Sequence, residues 1–269
     1  TSALFREGGG GFGGDRIALV KIQGVILDST EAIDEILYFK DREAVKAIVL
    51  RIDSPGGGVV PSQEIYEEVK KIRDEGEKKV IVSMGTMAAS GGYYIASASD
   101  QIVANPGTLT GSIGVIMELA NIEGLMDKIG VESVVIKSGK NKDVGSPFRA
   151  MEPAERAILQ RLMDDVHNQF IEAVAIGRNL RPDQVRAMAD GSVFTGLQAK
   201  DLGLVDEIGN LQDSISLAAE MAGIEGEPKV IESRKRGSFM SFFENKFPGV
   251  LPRIAFPKAG ISLQYLMAF

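Results

Sequence analysis

Three glycine-rich segments carry the residues best suited to chemistry. They are Asp53-Ser54-Pro55-Gly56-Gly57-Gly58, Met87-Ala88-Ala89-Ser90-Gly91-Gly92 and Thr110-Gly111-Ser112-Ile113-Gly114. Glycine lacks a Cβ, so a backbone N–H in such a segment can approach a ligand closely. Gly56 to Gly58 could therefore supply an N–H to a developing oxyanion, and one such donor is typically worth about 3 kcal/mol of barrier stabilisation. Ser90 precedes Gly91-Gly92 and the run Tyr93 to Ala98, which reads as helical. A serine at a helix N-terminus sits beside the positive end of the dipole, which suits an alkoxide. The same position equally suits a plain helix N-cap. A glycine turn can also hold a phosphate, but neither GxxxxGK[ST] nor GxGxxG occurs at these turns.

A serine nucleophile needs a base. The single histidine, His167, flanks an apolar stripe with Met163, Phe170 and Val174, a common place for a structural imidazole. A lysine kept neutral by desolvation is the other route. Spacing alone does not select one of the 30 lysines and arginines.

Composition narrows the functional classes. The chain has no cysteine, which removes disulfides, thiolate metal sites and cysteine nucleophiles together. One histidine is too few for a His-rich metal site, so neither a metal nor a cofactor is expected. The net charge is -7, and the one basic cluster, Arg234-Lys235-Arg236, is short, which argues against a nucleic-acid partner. No apolar run reaches the ~18 residues that span a bilayer. Residues 8–14 read GGGGFGG, a flexible tether compatible with a lost upstream membrane anchor.

The elements that must position these residues alternate between strand and helix. Strands are expected at Ile17–Ile22, Ala47–Ile52, Val80–Met84, Gln101–Ala104 and Ser133–Ile136, with helices over 31–44, 63–73 and 122–129. Such alternation predicts a largely parallel α/β sheet, with sites at the strands' carboxyl ends. After Pro153 the pattern becomes helical. A long amphipathic helix is expected over 152–178, its buried stripe traced by Leu159, Met163, Val166, Phe170, Ala173 and Gly177. A second helix follows Pro182, a short strand is expected at Leu204–Val205, and a last helix over 211–221. The division is then a tether (1–15), a catalytic domain (16–225) and a Phe/Pro-rich tail (226–269). The tail is too apolar to stay solvated, so it should lie on its own core, a neighbour or a membrane.

RIDSPGG (51–57), AASGGYYIA (88–96), TGSIGV (110–115) and IKSGKNKDVGSP (136–147), followed by ADGSVFTGLQAKDLGLVDEIG (189–209), resemble signal peptide peptidase A in its short bacterial or archaeal form. The resemblance runs from about Arg16 to about Gly223. It implies the Clp protease/crotonase-like spiral of ββα units, here with C-terminal helical additions. It implies Ser90 as nucleophile and Lys142 as general base, with Lys137 and Lys140 as nearby decoys. Ser112 would orient Lys142, Gly57 would give an oxyanion N–H, and Gly91 a second. The implied activity is a Ser/Lys serine endopeptidase degrading hydrophobic signal-peptide remnants. The implied setting is a ring-like homo-oligomer anchored in the cell membrane, its catalytic domain outside the cytoplasm. Two alternatives stand: an acyl-CoA hydratase or hydrolase of the same superfamily, and a non-catalytic membrane-associated scaffold.

Overall fold

A computed structural model describes residues 14–233 and 264–267. The glycine tether up to residue 13 and most of the Phe/Pro-rich tail lie outside the described residues.

The sheet grows from three runs that are apolar on both faces. β1 (Arg16–Gln23), β2 (Val45–Ser54) and β4 (Lys79–Ala89) pair in parallel, with Val20 opposite Leu50 and Leu50 opposite Val82. Runs such as AIVLRI lack a polar alternation because a parallel sheet with helices on both faces buries successive side chains on opposite sides. Ala18, Val20, Ile48, Leu50, Val80 and Val82 point to one core. Ile17, Leu19, Ala47, Val49 and Ile81 point to the other.

The first core is roofed by α1 (Thr30–Lys40), α2 (Val59–Glu75), α3 (Gly91–Ala96) and α5 (Pro153–Arg178). The second is covered by α8 (Leu211–Met221) through Ile215, Ala218 and Ala219. At about 25 cal/mol per Å² of buried apolar surface, these two faces supply most of the drive to fold. The remaining strands of this sheet are β5 (Gln101–Ala104), β6 (Leu109–Gly111), β7 (Val193–Thr195), β8 (Glu207–Ile208) and β9 (Lys229–Glu232). The main path runs β7-β6-β4-β2-β1-β9, and β5 joins β4 to β8. α6 (Pro182–Met188) and α7 (Gly196–Asp201) complete the body.

Four sequence expectations differ from the structure. Asp53 to Gly58 is not a simple turn: Gly56–Gly58 form a short strand, β3. Residues 133–136 pair with no strand among the described residues, although Val134 and Ile136 have strand-forming side chains. The first helix stops at Lys40 and Val45 already belongs to β2, so its apolar side chain serves a strand. Leu204 and Val205 are buried loop residues, and pairing begins two residues later at Glu207. The long helix spans Pro153–Arg178, with a capping box between Glu152 and Glu155 and Pro153 in its first turn. Leu159, Phe170 and Ala173 of its expected stripe are buried, while Met163, Val166 and Gly177 are half-buried.

Candidate active site

The three glycine-rich segments meet at one edge of the sheet. β4 lies between β2 and β6, and Ser54, Ala88 and Thr110 sit in register across the three strands. The chain leaves β4 at Ala89 and turns sharply into α3. Ser90 makes that turn with φ 52° and ψ -117°, a backbone conformation that L residues rarely adopt. Its N–H donates to the Gly111 carbonyl at 2.9 Å, and its carbonyl accepts from Tyr94 N–H at 2.8 Å. Both backbone bonds hold the strained conformation, which fixes the direction in which the Cα–Cβ bond leaves the turn.

The Ser90 hydroxyl does not cap α3. Ser90 is 1% exposed, and its Oγ finds no hydrogen-bond partner among the described residues. A buried hydroxyl without a partner is costly, by about 1–3 kcal/mol. Strain and an orphaned hydroxyl on one residue are the signature of a site kept for chemistry rather than for stability.

Beside it lies a cradle that only glycine can line. A Cβ on Gly57 would sit 2.1 Å from the Ile26 carbonyl oxygen, and one on Gly56 would sit 2.6 Å from Gly91 N. A Cβ on Gly91 would meet Ser62 Oγ at 2.5 Å and Gly57 N at 3.2 Å. Gly57 and Gly91 thus turn their backbones toward one small space. A carbonyl already occupies it: Tyr265 O lies 2.1 Å from the Cβ position of Gly56 and 3.2 Å from that of Gly91.

That carbonyl belongs to β10 (Gln264–Leu266), which pairs antiparallel with β3, Tyr265 opposite Gly57. On its other side Gln264 exchanges backbone hydrogen bonds with Ile116, at 3.1 and 3.3 Å. Tyr265 is fully buried, stacked on Tyr94 and tilted against Phe170, and its hydroxyl donates to the Val166 carbonyl. Burial pushes the Tyr265 phenol well above its ordinary range and Tyr94 up to about 12. An extended peptide is thus bound as an added strand across the glycine cradle. Of the tail's described residues, 264–267 lie on the chain's own candidate site, while Lys229–Glu232 form β9 and pair with β1 in the main sheet.

Ser112, the third segment's serine, also has a positive φ, 50°. Its N–H donates to the Ser192 carbonyl at 2.7 Å. It lines a cavity of about 430 Å³ together with Ile116, Met163, His167, Gly191 and Met267. His167 belongs to this cavity wall, and its buried Nε2 has no partner among the described residues, Ser90 included.

Lys142 stands apart. It lies in an exposed turn whose backbone is closed by Lys142 N–H to Gly139 O at 3.1 Å. Within one chain its ammonium is not hydrogen-bonded to Ser90, and the burial expected for a neutral lysine is not provided. Its segment is unusually apolar for a surface. α4 (Glu123–Ile129) buries no residue, and Leu125, Ile129, Val134 and Ile136 are 58%, 65%, 79% and 97% exposed. Of the decoys, Lys137 is paired with Asp143 at 2.5 Å, and Lys140 is exposed.

Sequence reasoning missed β10, Ser62 and the ionic brace around Asp143. Tail composition hid the first, and the brace's Arg149 and Glu155 lie just past the lysine-bearing motif. Among the described residues no cluster of side chains could hold a metal ion, and no helix is long and apolar enough to cross a membrane.

Comparison with known proteins gives the family and the fold. The model for peptidase family S49 matches residues 72–225, and that for Clp protease matches residues 18–107. A candidate protease of Synechocystis sp. is 46% identical, over 78% of this chain and 76% of its own length. A candidate signal peptide peptidase SppA of Enterococcus faecium is 36% identical, over 74% of this chain and 62% of its own. Protease 4 of Salmonella typhi is 36% identical over 89% of this chain, but the match spans only 42% of that longer protein.

Proposed function

The chain belongs to peptidase family S49 and has the Clp protease-like fold, and we propose that it is a serine endopeptidase in which Ser90 is the nucleophile and Lys142 the general base. The observation that carries the reading is the strained, buried and unpartnered Ser90 hydroxyl beside a glycine cradle that holds a peptide carbonyl. A scissile peptide would add to β3 as β10 does, with its carbonyl oxygen facing Gly57 and Gly91 N–H. Lys142, as the free amine, takes the Ser90 proton while Oγ attacks the carbonyl carbon. The protonated amine then gives that proton to the leaving nitrogen as the C–N bond breaks. Water, deprotonated by the same amine, releases the acyl group. Ser112 orients the lysine from the rim of the cavity. Nothing in this sequence of steps needs a metal or a cofactor.

A lysine exposed in its own chain must find its low-dielectric cleft elsewhere. The bare apolar segment around it is the kind of surface that a second copy covers. We therefore place Lys142 of one subunit against Ser90 of the next, in a closed ring. The groove between β3 and Ile116 reads backbone, which suits hydrophobic peptides such as the remnants of signal peptides. The Enterococcus relative is named as a candidate signal peptide peptidase. Substrates of that kind would place the enzyme at the cell membrane, on its extracytoplasmic face.

A fluorophosphonate probe tests the nucleophile, and co-assembly of two dead variants tests the arrangement. The probe should label Ser90 alone, and Ser90→Ala and Lys142→Ala should each abolish turnover with the fold intact. Co-expressed at equal levels, the two variants should recover about a quarter of wild-type activity, because random neighbours pair an intact Ser90 with an intact Lys142 at that frequency. No labelling at Ser90 would favour an acyl-CoA hydratase or hydrolase of the same superfamily. An active Ser90→Ala enzyme would remove the nucleophile assignment altogether.

A further inference from the structure

The turn that carries Lys142 has almost no apolar support, yet it is tied to the body by one guanidinium. Arg149 Nε donates to Asp143 Oδ2 at 3.0 Å, and its NH2 group reaches the Asp143 backbone carbonyl at 3.3 Å. The same side chain forks onto Glu155, NH1 meeting Oε2 at 2.8 Å and NH2 meeting Oε1. Glu155 is 3% exposed at the start of α5, and its Oε2 also accepts the Glu152 N–H of the capping box. Asp143 Oδ1 is taken by Lys137. Each oxygen of the carboxylate next to Lys142 is thus satisfied by a different cation, and neither cation is Lys142.

We propose that Arg149 is a positioning residue for Lys142: through Asp143 it fixes the lysine turn on the first turn of α5 and occupies the carboxylate that would otherwise hold Lys142 as an ammonium. The inference rests on the reading of Lys142 as the base. A planar guanidinium forked onto the Glu155 carboxylate and bonded to both a carboxylate oxygen and the backbone carbonyl of Asp143 is a rigid strut, where a lysine would be a hinge. Its electrostatic part is equally direct. A carboxylate within about 4–6 Å favours the charged form of an amine, and a base must be uncharged to accept a proton. The charged groups gathered at the turn are Lys137, Lys140 and Asp143 on its own segment, Arg149 and Glu152 after it and Glu155 on α5, and of these Lys137, Asp143, Arg149 and Glu155 are ion-paired with one another. With Arg149 present their charges cancel in pairs. Without it Asp143 keeps Lys137 alone, and one carboxylate oxygen is left open to a second cation from its own turn, the adjacent Lys142 included.

The test uses the full-length protein with Arg149→Met, Arg149→Lys and Glu155→Gln, each normalised to the number of sites labelled by fluorophosphonate. For Arg149→Met the expected result is a kcat lower by roughly ten- to a hundred-fold, with KM little changed, as for a misplaced catalytic group. The rising limb of kcat against pH should move to higher pH, and added guanidinium at non-denaturing concentration should restore part of the rate. Arg149→Lys should recover only part of the wild-type kcat, and Glu155→Gln, which removes an anion and leaves Arg149 on Asp143, should lower kcat by loosening the turn without moving the rising limb to higher pH. A merely structural role for Arg149 would lower the number of labelled sites in Arg149→Met and leave its per-site pH profile superimposable on wild type; that outcome overturns the proposal. A fully active Lys142→Ala enzyme is a separate result, which would remove the base rather than its positioning residue.

Discussion

Replacing Ser90 should make the protein more stable while killing it, and the sizes can be worked from the backbone. Two costs fall on this residue. Within a single chain the hydroxyl is buried without a partner, which costs about 1–3 kcal/mol wherever no neighbour's Lys142 reaches it. The backbone sits at φ 52° and ψ -117°, and such conformations cost about 1–3 kcal/mol for a residue with a Cβ. Ser90→Ala removes the first cost and keeps the second. Ser90→Gly removes both but adds about 0.5–1 kcal/mol of glycine chain entropy. Stability should therefore rise from wild type to Ser90→Ala and again from Ser90→Ala to Ser90→Gly. At about 2–4 °C per kcal/mol for a chain of this size, each step is a rise of a few degrees in Tm. Differential scanning calorimetry on the variants held as unassembled chains, where no neighbour's Lys142 meets the hydroxyl, reads both steps, and a peptide assay on the assembled enzyme reads the loss of turnover. If Ser90→Ala instead melts below wild type by the amount typical of a lost cap, about 1 kcal/mol, Ser90 is a structural helix cap and the reasoning fails.

Three further outcomes follow from the same geometry. Gly57→Ala places a Cβ 2.1 Å from the Ile26 carbonyl, so β3 must move; kcat should fall by about a hundred-fold or more as an oxyanion donor is displaced, with Ser90 still labelled slowly. An unchanged kcat would remove Gly57 from the cradle. His167→Ala should keep turnover close to wild type, because the imidazole lines the cavity without reaching Ser90; an inactive, folded variant would make the histidine the base. The Arg149 fork, and then the Glu152 N–H, hold the Glu155 carboxyl down at about 2, below an ordinary value near 4.5. A depressed carboxyl contributes stability that is complete above its unfolded value and is lost as pH falls through the folded one. The lysine turn should therefore loosen between about pH 4.5 and 2, and Glu155→Gln should shrink that acid step in hydrogen exchange of residues 139–149, leaving the part that Asp143, also held down by Arg149 and then Lys137, contributes at lower pH.

Much of the fold was legible because the central strands are apolar on both faces, a pattern that few other arrangements produce. The two ends of the site were legible for different reasons. Ser90 was visible by its place between a strand and a double glycine, although local chemistry alone allowed a cap. The structure shows that the hydroxyl does not cap α3, which pattern could not decide. Gly56 to Gly58 read as a turn because glycine usually marks one, whereas here it lets the Ile26 and Tyr265 backbones close in on both sides of a strand. Residues 133–136 read as a strand from Val134, Val135 and Ile136, yet a strand needs a neighbour, and the described residues offer none. β10 was illegible: its pairing partner lies about 200 residues upstream, and no periodicity in three residues can announce that. Arg149 was likewise one arginine among many until its fork onto Asp143 and Glu155 was seen.

The central claim is that an amine from position 142 meets the hydroxyl at position 90. Its most direct measurement is the distance from Ser90 Oγ to Lys142 Nζ in a crystal structure of the assembled protein. The account predicts separation within hydrogen-bond reach, about 2.6–3.2 Å, with the lysine supplied by a neighbouring subunit and closed off from solvent. A fully assembled oligomer in which Lys142 still faces water, with another group or none beside the Ser90 hydroxyl, would contradict it.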